Sequence, residues 1–145
     1  MSHDYTDRVL EEWHTVRPDL DVSPAAVVTR VLRLARYIEA ELDDVVASHG
    51  LGRKGDFDTL AALRRAGPAL GLSPTQLATA ALITTGGMTS RLDRLEDAGY
   101  IERRPDPHDR RALLVCLTAR GRGLVDGVIE SMLDRQRRLL ETLDA

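Results

Sequence analysis

The sequence predicts a mainly helical fold that contains one small β-hairpin. Apolar residues recur at helical spacing along most of the chain. Only two short segments, 100–104 and 112–117, alternate between apolar and polar residues as strands do. The intervening PDPHDRR must turn, because Pro105 and Pro107 cannot donate to a strand ladder. Two strands are too few for a sandwich, a barrel or a parallel sheet, so those classes are excluded.

Helix boundaries are indicated by capping residues before and after each apolar stripe. Capping serine and threonine precede three helices, and proline or glycine follows most of them. The predicted helices span 4–16, 23–50, 56–66, 74–81, about 85–98 and 119 onward. Asp56 is the expected N-cap of the third helix, and Thr118 that of the last. With 145 residues the chain is about one domain long, so we expect a single domain over 1–145.

The central stretch, 84–118, has the layout of a winged helix-turn-helix. A short helix, a turn at 82–84 and a second helix have helix-turn-helix proportions, and the hairpin follows directly as a wing. The exposed start of such a second helix reaches base edges in the major groove of DNA, and a wing arginine suits a narrow minor groove. The candidate DNA-binding residues are Thr84, Thr85, Gly86, Gly87, Thr89, Ser90, Arg94, Arg110 and Arg111. We expect Asp109 to hold the side chain of Arg110 or Arg111.

Net charge does not by itself indicate a nucleic-acid-binding protein. The chain carries −3 overall, and residues 84–111 contain six basic and six acidic side chains. Any DNA footprint must then come from the placement of individual groups, not from bulk charge. The alternative prediction is a winged-helix protein-interaction module without DNA binding.

The helix over 23–50 is apolar on more than one side. One stripe contains Val27, Val31 and Leu34, and a second contains Val28 and Leu32. A surface helix of one small domain needs a single apolar face, so we expect the other to meet a second subunit. The dimerisation helices are predicted at 4–50 and 119–145, and the DNA-binding lobe at 51–118.

Specific motifs in this region resemble those of the MarR family of homodimeric winged-helix transcription regulators. They are Asp109-x-Arg111 followed by Leu117-Thr118, and the preceding RLDRLEDAGYIERR. The resemblance extends from about Ser23 to Thr118. It implies a homodimer on a pseudo-palindromic operator in double-stranded DNA, usually as a repressor. Family members normally continue past the position of Leu143 into a further helix. Either this dimer depends more on 25–46 and the N-terminal helix, or the chain has a further tail beyond this sequence.

One branch of that family has an extra N-terminal helix and responds to urate and related purines. Trp13, Asp58, Arg91 and Arg103 match its ligand-site residues by local context. The resemblance implies that Trp13 and Arg91 contact a small anionic effector, while Asp58 and Arg103 relay its charge to the second helix of the motif. Each also has an ordinary structural interpretation, such as a core anchor for Trp13. A MarR-type regulator of phenolic or carboxylate ligands is the alternative within the family.

No enzyme, cofactor or metal site is predicted. The four histidines lack the spacing of a helical metal pair, and no phosphate-binding loop is present. The single cysteine, Cys116, excludes an internal disulfide and is expected to be a buried structural thiol. With no apolar run of membrane-spanning length and no signal peptide, we expect a cytoplasmic protein.

Overall fold

A computed structural model describes residues 3–67, 71–109 and 111–141. The chain forms two compact units, Met1–Glu41 and Leu42–Ala145, which divide within the second helix. Among the described residues the architecture is mainly helical with one antiparallel hairpin, as predicted. No helix in these ranges is long and apolar enough to cross a membrane.

The first unit contains helix α1 (Tyr5–Val16) and most of helix α2 (Ser23–Ser48). Asp4 and Asp7 form a reciprocal capping box at the start of α1. Arg30 of α2 donates to both carboxylates, at 2.8 Å from Nε to Asp4 Oδ2 and 2.6 Å from Nη2 to Asp7 Oδ1. Mainly because of the Arg30 hydrogen bonds, the pKa of Asp4 falls to about 2. These contacts tie α1 to α2 within this unit.

The second unit contains the remaining elements in the predicted order. They are α3 (Lys54–Ala66), α4 (Pro74–Ala81), α5 (Thr85–Asp97), β1 (Ile101–Pro105), β2 (Leu113–Leu117) and α6 (Ala119–Glu141). The strands pair in a register that places Ile101 opposite Leu117 and Arg103 opposite Val115. Leu72 also exchanges two backbone hydrogen bonds with Val115, which fastens the segment before α4 to the hairpin.

The core of this unit packs one face of every helix against the hairpin. Its fully buried side chains include Leu60, Leu77, Met88, Leu92, Leu95, Ile101, Val115, Val125 and Val128. Each comes from the apolar stripe of its own element, as periodicity predicts. Because α5 contributes three of them at helical spacing, its opposite face is left outward.

Of the two predicted N-caps, that of α3 differs in the structure and that of α6 agrees. The N-cap of α3 is Arg53 instead of Asp56, because the helix begins one turn earlier than expected. Asp56 is therefore inside the first turn and is buried. At the other end of the unit Thr118 caps α6 as predicted, since its Oγ1 accepts from the N–H of Gly121 at 3.0 Å.

Candidate nucleic-acid interface and ligand cavity

The helix-turn-helix is formed by α4, a tight turn and α5. Ser73 and Gln76 form a capping box at the start of α4, and Pro74 occupies its first helical position. The helix ends at Leu82, which has a left-handed backbone (φ 53°) and is 92% exposed. Thr84 then caps α5 by accepting from the N–H of Gly87 at 3.2 Å.

The predicted reading residues lie at the exposed start of α5. Every one of them from the cap through Ser90 is exposed: Thr84, Thr85, Gly86, Gly87, Thr89 and Ser90. Thr89 Oγ1 donates to the carbonyl of Thr85 at 3.0 Å. A Cβ at Gly86 would meet no atom within 4 Å, so its lack of a side chain is not required by packing within the chain. The exposed start of α5 is thus a small, hydroxyl-lined surface.

The described residues of the wing tip are 106–109 and 111–112. Asp106 accepts from the backbone N–H of His108, and Asp109 from that of Arg111 at 2.9 Å. The prediction that Asp109 holds an arginine side chain is therefore wrong for Arg111: the carboxylate satisfies a turn amide instead. Arg111 is exposed, and its guanidinium has no carboxylate partner in the described part of the chain. Arg110 lies outside the described residues.

Arg94, the remaining reading candidate, is engaged within the protein. Its Nη2 donates to Asp56 Oδ1 at 3.0 Å, and its Nη1 to the carbonyl of Ser90. The side chain is 42% exposed. Sequence reasoning missed Asp56 as its partner, because the two residues lie 38 positions apart.

A cavity of about 700 Å³ lies in the second unit between α3 and α4, and its wall also contains Arg91 of α5 and Ile129 of α6. Apolar side chains form most of its wall, including Phe57, Leu77 and Ile129. Arg91 and Asp58, two of the four predicted ligand residues, also line it, together with Arg65. The volume is in the range of small-molecule sites, which combine apolar walls with a few placed polar groups.

Arg91 is fixed at the wall of this cavity by α3. Its Nη1 donates to the carbonyl of Gly55 at 3.0 Å and to Thr59 Oγ1 at 3.3 Å. Its Nε lies 3.8 Å from Asp56 Oδ1. Only 18% of the Arg91 side chain is exposed. A guanidinium held by neutral acceptors and one carboxylate keeps positive charge at the cavity wall.

The other two predicted ligand residues lie elsewhere. Arg103, on β1, is paired with Glu96 and with Asp93, the latter at 2.6 Å, so it ties the wing to α5. It does not line the cavity. Trp13 lies on α1 in the first unit and is half exposed. The structure therefore brings together Arg91 and Asp58 within the second unit.

A second, smaller cavity of about 60 Å³ is lined by Arg64, Arg104 and Arg122 together with Cys116. Arg64 is paired with Asp126 at 2.7 Å, and Arg104 with Glu102. Cys116 is half-buried, so the prediction of a buried thiol is wrong. No group of histidine, cysteine and acidic residues among the described positions is arranged to hold a metal ion.

Fold and surface together define a winged helix-turn-helix protein. A sequence profile of the MarR family matches residues 49–112. The chain is 39% identical over 132 residues to the HTH-type transcriptional regulator PecS of Dickeya dadantii, a match covering 91% of this chain and 79% of that protein. The chain therefore belongs to the MarR family and is a DNA-binding transcription regulator.

Solved structures show the same architecture. RV1404 from Mycobacterium tuberculosis superimposes with a TM-score of 0.72 at 28% identity, covering 85% of this chain and 82% of that one. Wild-type MarR from Escherichia coli, in its apo form, gives a TM-score of 0.60 at 26% identity, covering 76% and 82%. Because the relatives are transcription regulators, they support the prediction that the protein is not an enzyme and do not favour an interaction module without DNA binding.

Proposed function

We propose that the protein is a cytoplasmic transcriptional repressor that a small anion, urate or a related purine metabolite, releases from its operator. The observation that carries this proposal is the cavity lined by Asp58 of α3 and Arg91 of α5. A ligand there touches the same helix whose opposite face is exposed for DNA. Binding and release then act through one element.

The DNA contacts are proposed at the start of α5 and at the wing tip. Thr84, Thr85, Thr89 and Ser90 offer hydroxyl groups to bases or phosphates, and the adjacent Gly86 and Gly87 allow close approach of the helix. At the wing, Arg110 and Arg111 enter the minor groove beside the half-site. Arg94 completes the set at the far end of the surface.

The protein is proposed to bind a pseudo-palindromic operator as a homodimer. Six large hydrophobic residues of α2 are between 48% and 67% exposed: Val27, Val28, Val31, Leu32, Leu34 and Tyr37. Several exposed apolar side chains on one helix are typical of a protein–protein interface. Helices at 4–50 and 119–145 would form the dimer, while 51–118 reads DNA.

The ligand chemistry follows from the proposed residues. Arg91 binds the anionic edge of a flat heterocycle bidentately, and Trp13 offers an aromatic face for stacking. Asp58 and Arg103 respond to the added negative charge. Because Arg91 is already held by Gly55 and Thr59, it is preorganised for the anion.

DNA binding is tested by fluorescence anisotropy with a labelled duplex from upstream of the protein's own gene. Arg111→Ala should weaken binding by about tenfold, the effect of one lost arginine contact. Arg104→Ala is the matched control, since that wing arginine is already paired with Glu102. If Arg111→Ala binds as tightly as the parent protein, the wing has no part in recognition.

Ligand binding is tested through Trp13, the single tryptophan of the chain. Urate, xanthine, salicylate and citrate are titrated while Trp13 fluorescence is recorded, with free tryptophan correcting for absorption by the ligand. Urate should also raise the melting temperature of the parent protein by mass action, and of Arg91→Ala much less. Stabilisation by salicylate but not by urate would replace the purine with a phenolic effector.

A further inference from the structure

We propose that Asp56 is the positioning residue that connects occupancy of the cavity to the recognition helix α5. The inference rests on the proposed function and names the group through which the anion acts. One oxygen, Asp56 Oδ1, accepts from Arg94 Nη2 at 3.0 Å and lies 3.8 Å from Arg91 Nε. A single buried carboxylate thus holds two arginines of α5 from α3.

The two arginines have different surroundings. Arg91 lines the cavity, whereas Arg94 lies one turn further along α5 and is partly exposed. The side chains of Asp56 and Arg91 are 11% and 18% exposed, so the interaction between these two charges is shielded from water. Charges in such a site interact more strongly than charges on the surface. A change at Arg91 is therefore felt by the Asp56–Arg94 pair.

An arriving anion competes directly with Asp56 for Arg91. Once the anion pairs with the guanidinium, the attraction of Arg91 for Asp56 weakens, and the second negative charge repels the carboxylate. Because Arg91 and Arg94 belong to the same helix, the change alters how α5 is fastened to α3. The anion is thereby coupled to DNA affinity, and by linkage DNA weakens anion binding by the same factor.

Asp58 does not fit this role as well. It lines the cavity and is exposed, but it makes no ion pair with α5 in the described part of the chain. Asp56 contacts both arginines, each of which the sequence had singled out. In this proposal Asp58 is a negative charge at the cavity wall, and it affects which anions can enter.

Gly55 provides a second, independent feature of the arrangement. A Cβ at this position would lie 2.6 Å from Arg91 Nη2 and 2.9 Å from its Cζ. The guanidinium therefore lies directly on the backbone of α3 in space that only glycine leaves open. Gly55→Ala displaces the guanidinium of Arg91 while every charge is retained.

The test compares Asp56→Asn and Gly55→Ala with the parent protein and with Asp126→Asn. The control, Asp126→Asn, removes a carboxylate of α6 that pairs with Arg64 of α3. Circular dichroism and melting temperature verify folding. The readout is the release factor, defined as the operator Kd at saturating urate divided by the Kd without urate. A merely structural role would change both Kd values equally and leave this factor unchanged.

We expect a release factor of about 5- to 150-fold for the parent and for Asp126→Asn, the usual range of coupling between sites. Asp56→Asn and Gly55→Ala should reduce it below about twofold. A parent-like factor in Asp56→Asn would overturn the proposal. Should Asp56→Asn fail to fold, Arg94→Ala removes the other partner of the Asp56–Arg94 pair, and a parent-like release factor in that variant overturns the proposal.

Failure of the urate assignment is distinguishable from failure of this inference. If urate does not release the parent protein, operator affinity without ligand decides. Asp56→Asn should then bind the operator at least about fivefold more weakly than Asp126→Asn, the low end of such couplings. Equal affinity of the two variants would show that Asp56 does not position α5.

Discussion

Gly121 gives the sharpest test of how α6 fixes the wing. It lies in the first turn of α6 and is buried. A Cβ there would be 1.9 Å from the carbonyl oxygen of Tyr100 and 2.8 Å from its carbonyl carbon. Ordinary contact begins at 3.4 Å, so Gly121→Ala requires the two backbones to separate by 1.5 Å (3.4 − 1.9). That segment leads directly from α5 into β1.

Two effects of Gly121→Ala oppose each other. Alanine favours a helix interior by about 1 kcal/mol over glycine. Overpacking costs about 3 kcal/mol when the atom met is rigid backbone. The separation also breaks the Thr118 N–H to Tyr100 hydrogen bond of 3.1 Å, a loss of about 1 kcal/mol. The clash wins, and we expect a net loss of about 3 kcal/mol in the free energy of unfolding.

The assay is urea and thermal denaturation at fixed protein concentration, followed by circular dichroism. A loss of this size lowers the melting temperature by about 6–12 °C in a domain of this length. Gly123→Ala is the control, since its Cβ would meet nothing within 4 Å. That variant should gain up to about 1 kcal/mol from helix propensity. If Gly121→Ala is as stable as Gly123→Ala, the close contact with Tyr100 is refuted.

Three further predictions concern caps and charge. Ser73→Ala removes the cap of α4 and should lower the free energy of unfolding by about 1 kcal/mol in urea, whereas Ser73→Thr retains most of it; equal loss in both would contradict the capping role. Leu82 has a left-handed backbone conformation, which asparagine adopts at lower cost. Leu82→Asn should therefore raise the free energy of unfolding by up to about 1 kcal/mol, and a lower melting temperature would instead assign Leu82 a packing role. The pKa of Asp4 is lowered from 3.8 to about 2 by Arg30, so its stabilising effect is complete above pH 4 and disappears as the pH falls through 2. Asp4→Asn should lack this part of the acid transition in a circular-dichroism titration, and an unchanged transition would refute the assignment.

Local signals predicted the fold, because each helix is defined by its own stripe and caps. Ser73 and Thr118 cap the helices that follow them, and the hairpin turns where Pro105 and Pro107 require it. The contacts of the candidate site were harder to predict from the sequence. The local sequence predicted Asp56 as a helix N-cap, but its side-chain partners are arginines more than thirty residues away along the chain. Such pairs depend on how α3 packs against α5, which no local pattern contains.

The same pairs explain how a chain without net positive charge near its reading helix can serve as a DNA-binding regulator. Arg91, Arg94, Arg103 and Arg104 are each paired with a carboxylate of the same unit. Their charge therefore holds α5 and the wing in place and adds little to the field that DNA meets. A simple count of basic and acidic residues over 84–111 does not distinguish these internally paired side chains from charges that face the solvent. Among the described residues of the proposed DNA-contact set, the hydroxyl-lined start of α5 and the exposed Arg111 are not engaged in an internal ion pair. Specific recognition then depends on how firmly α5 is positioned, and Asp56 acts at that point.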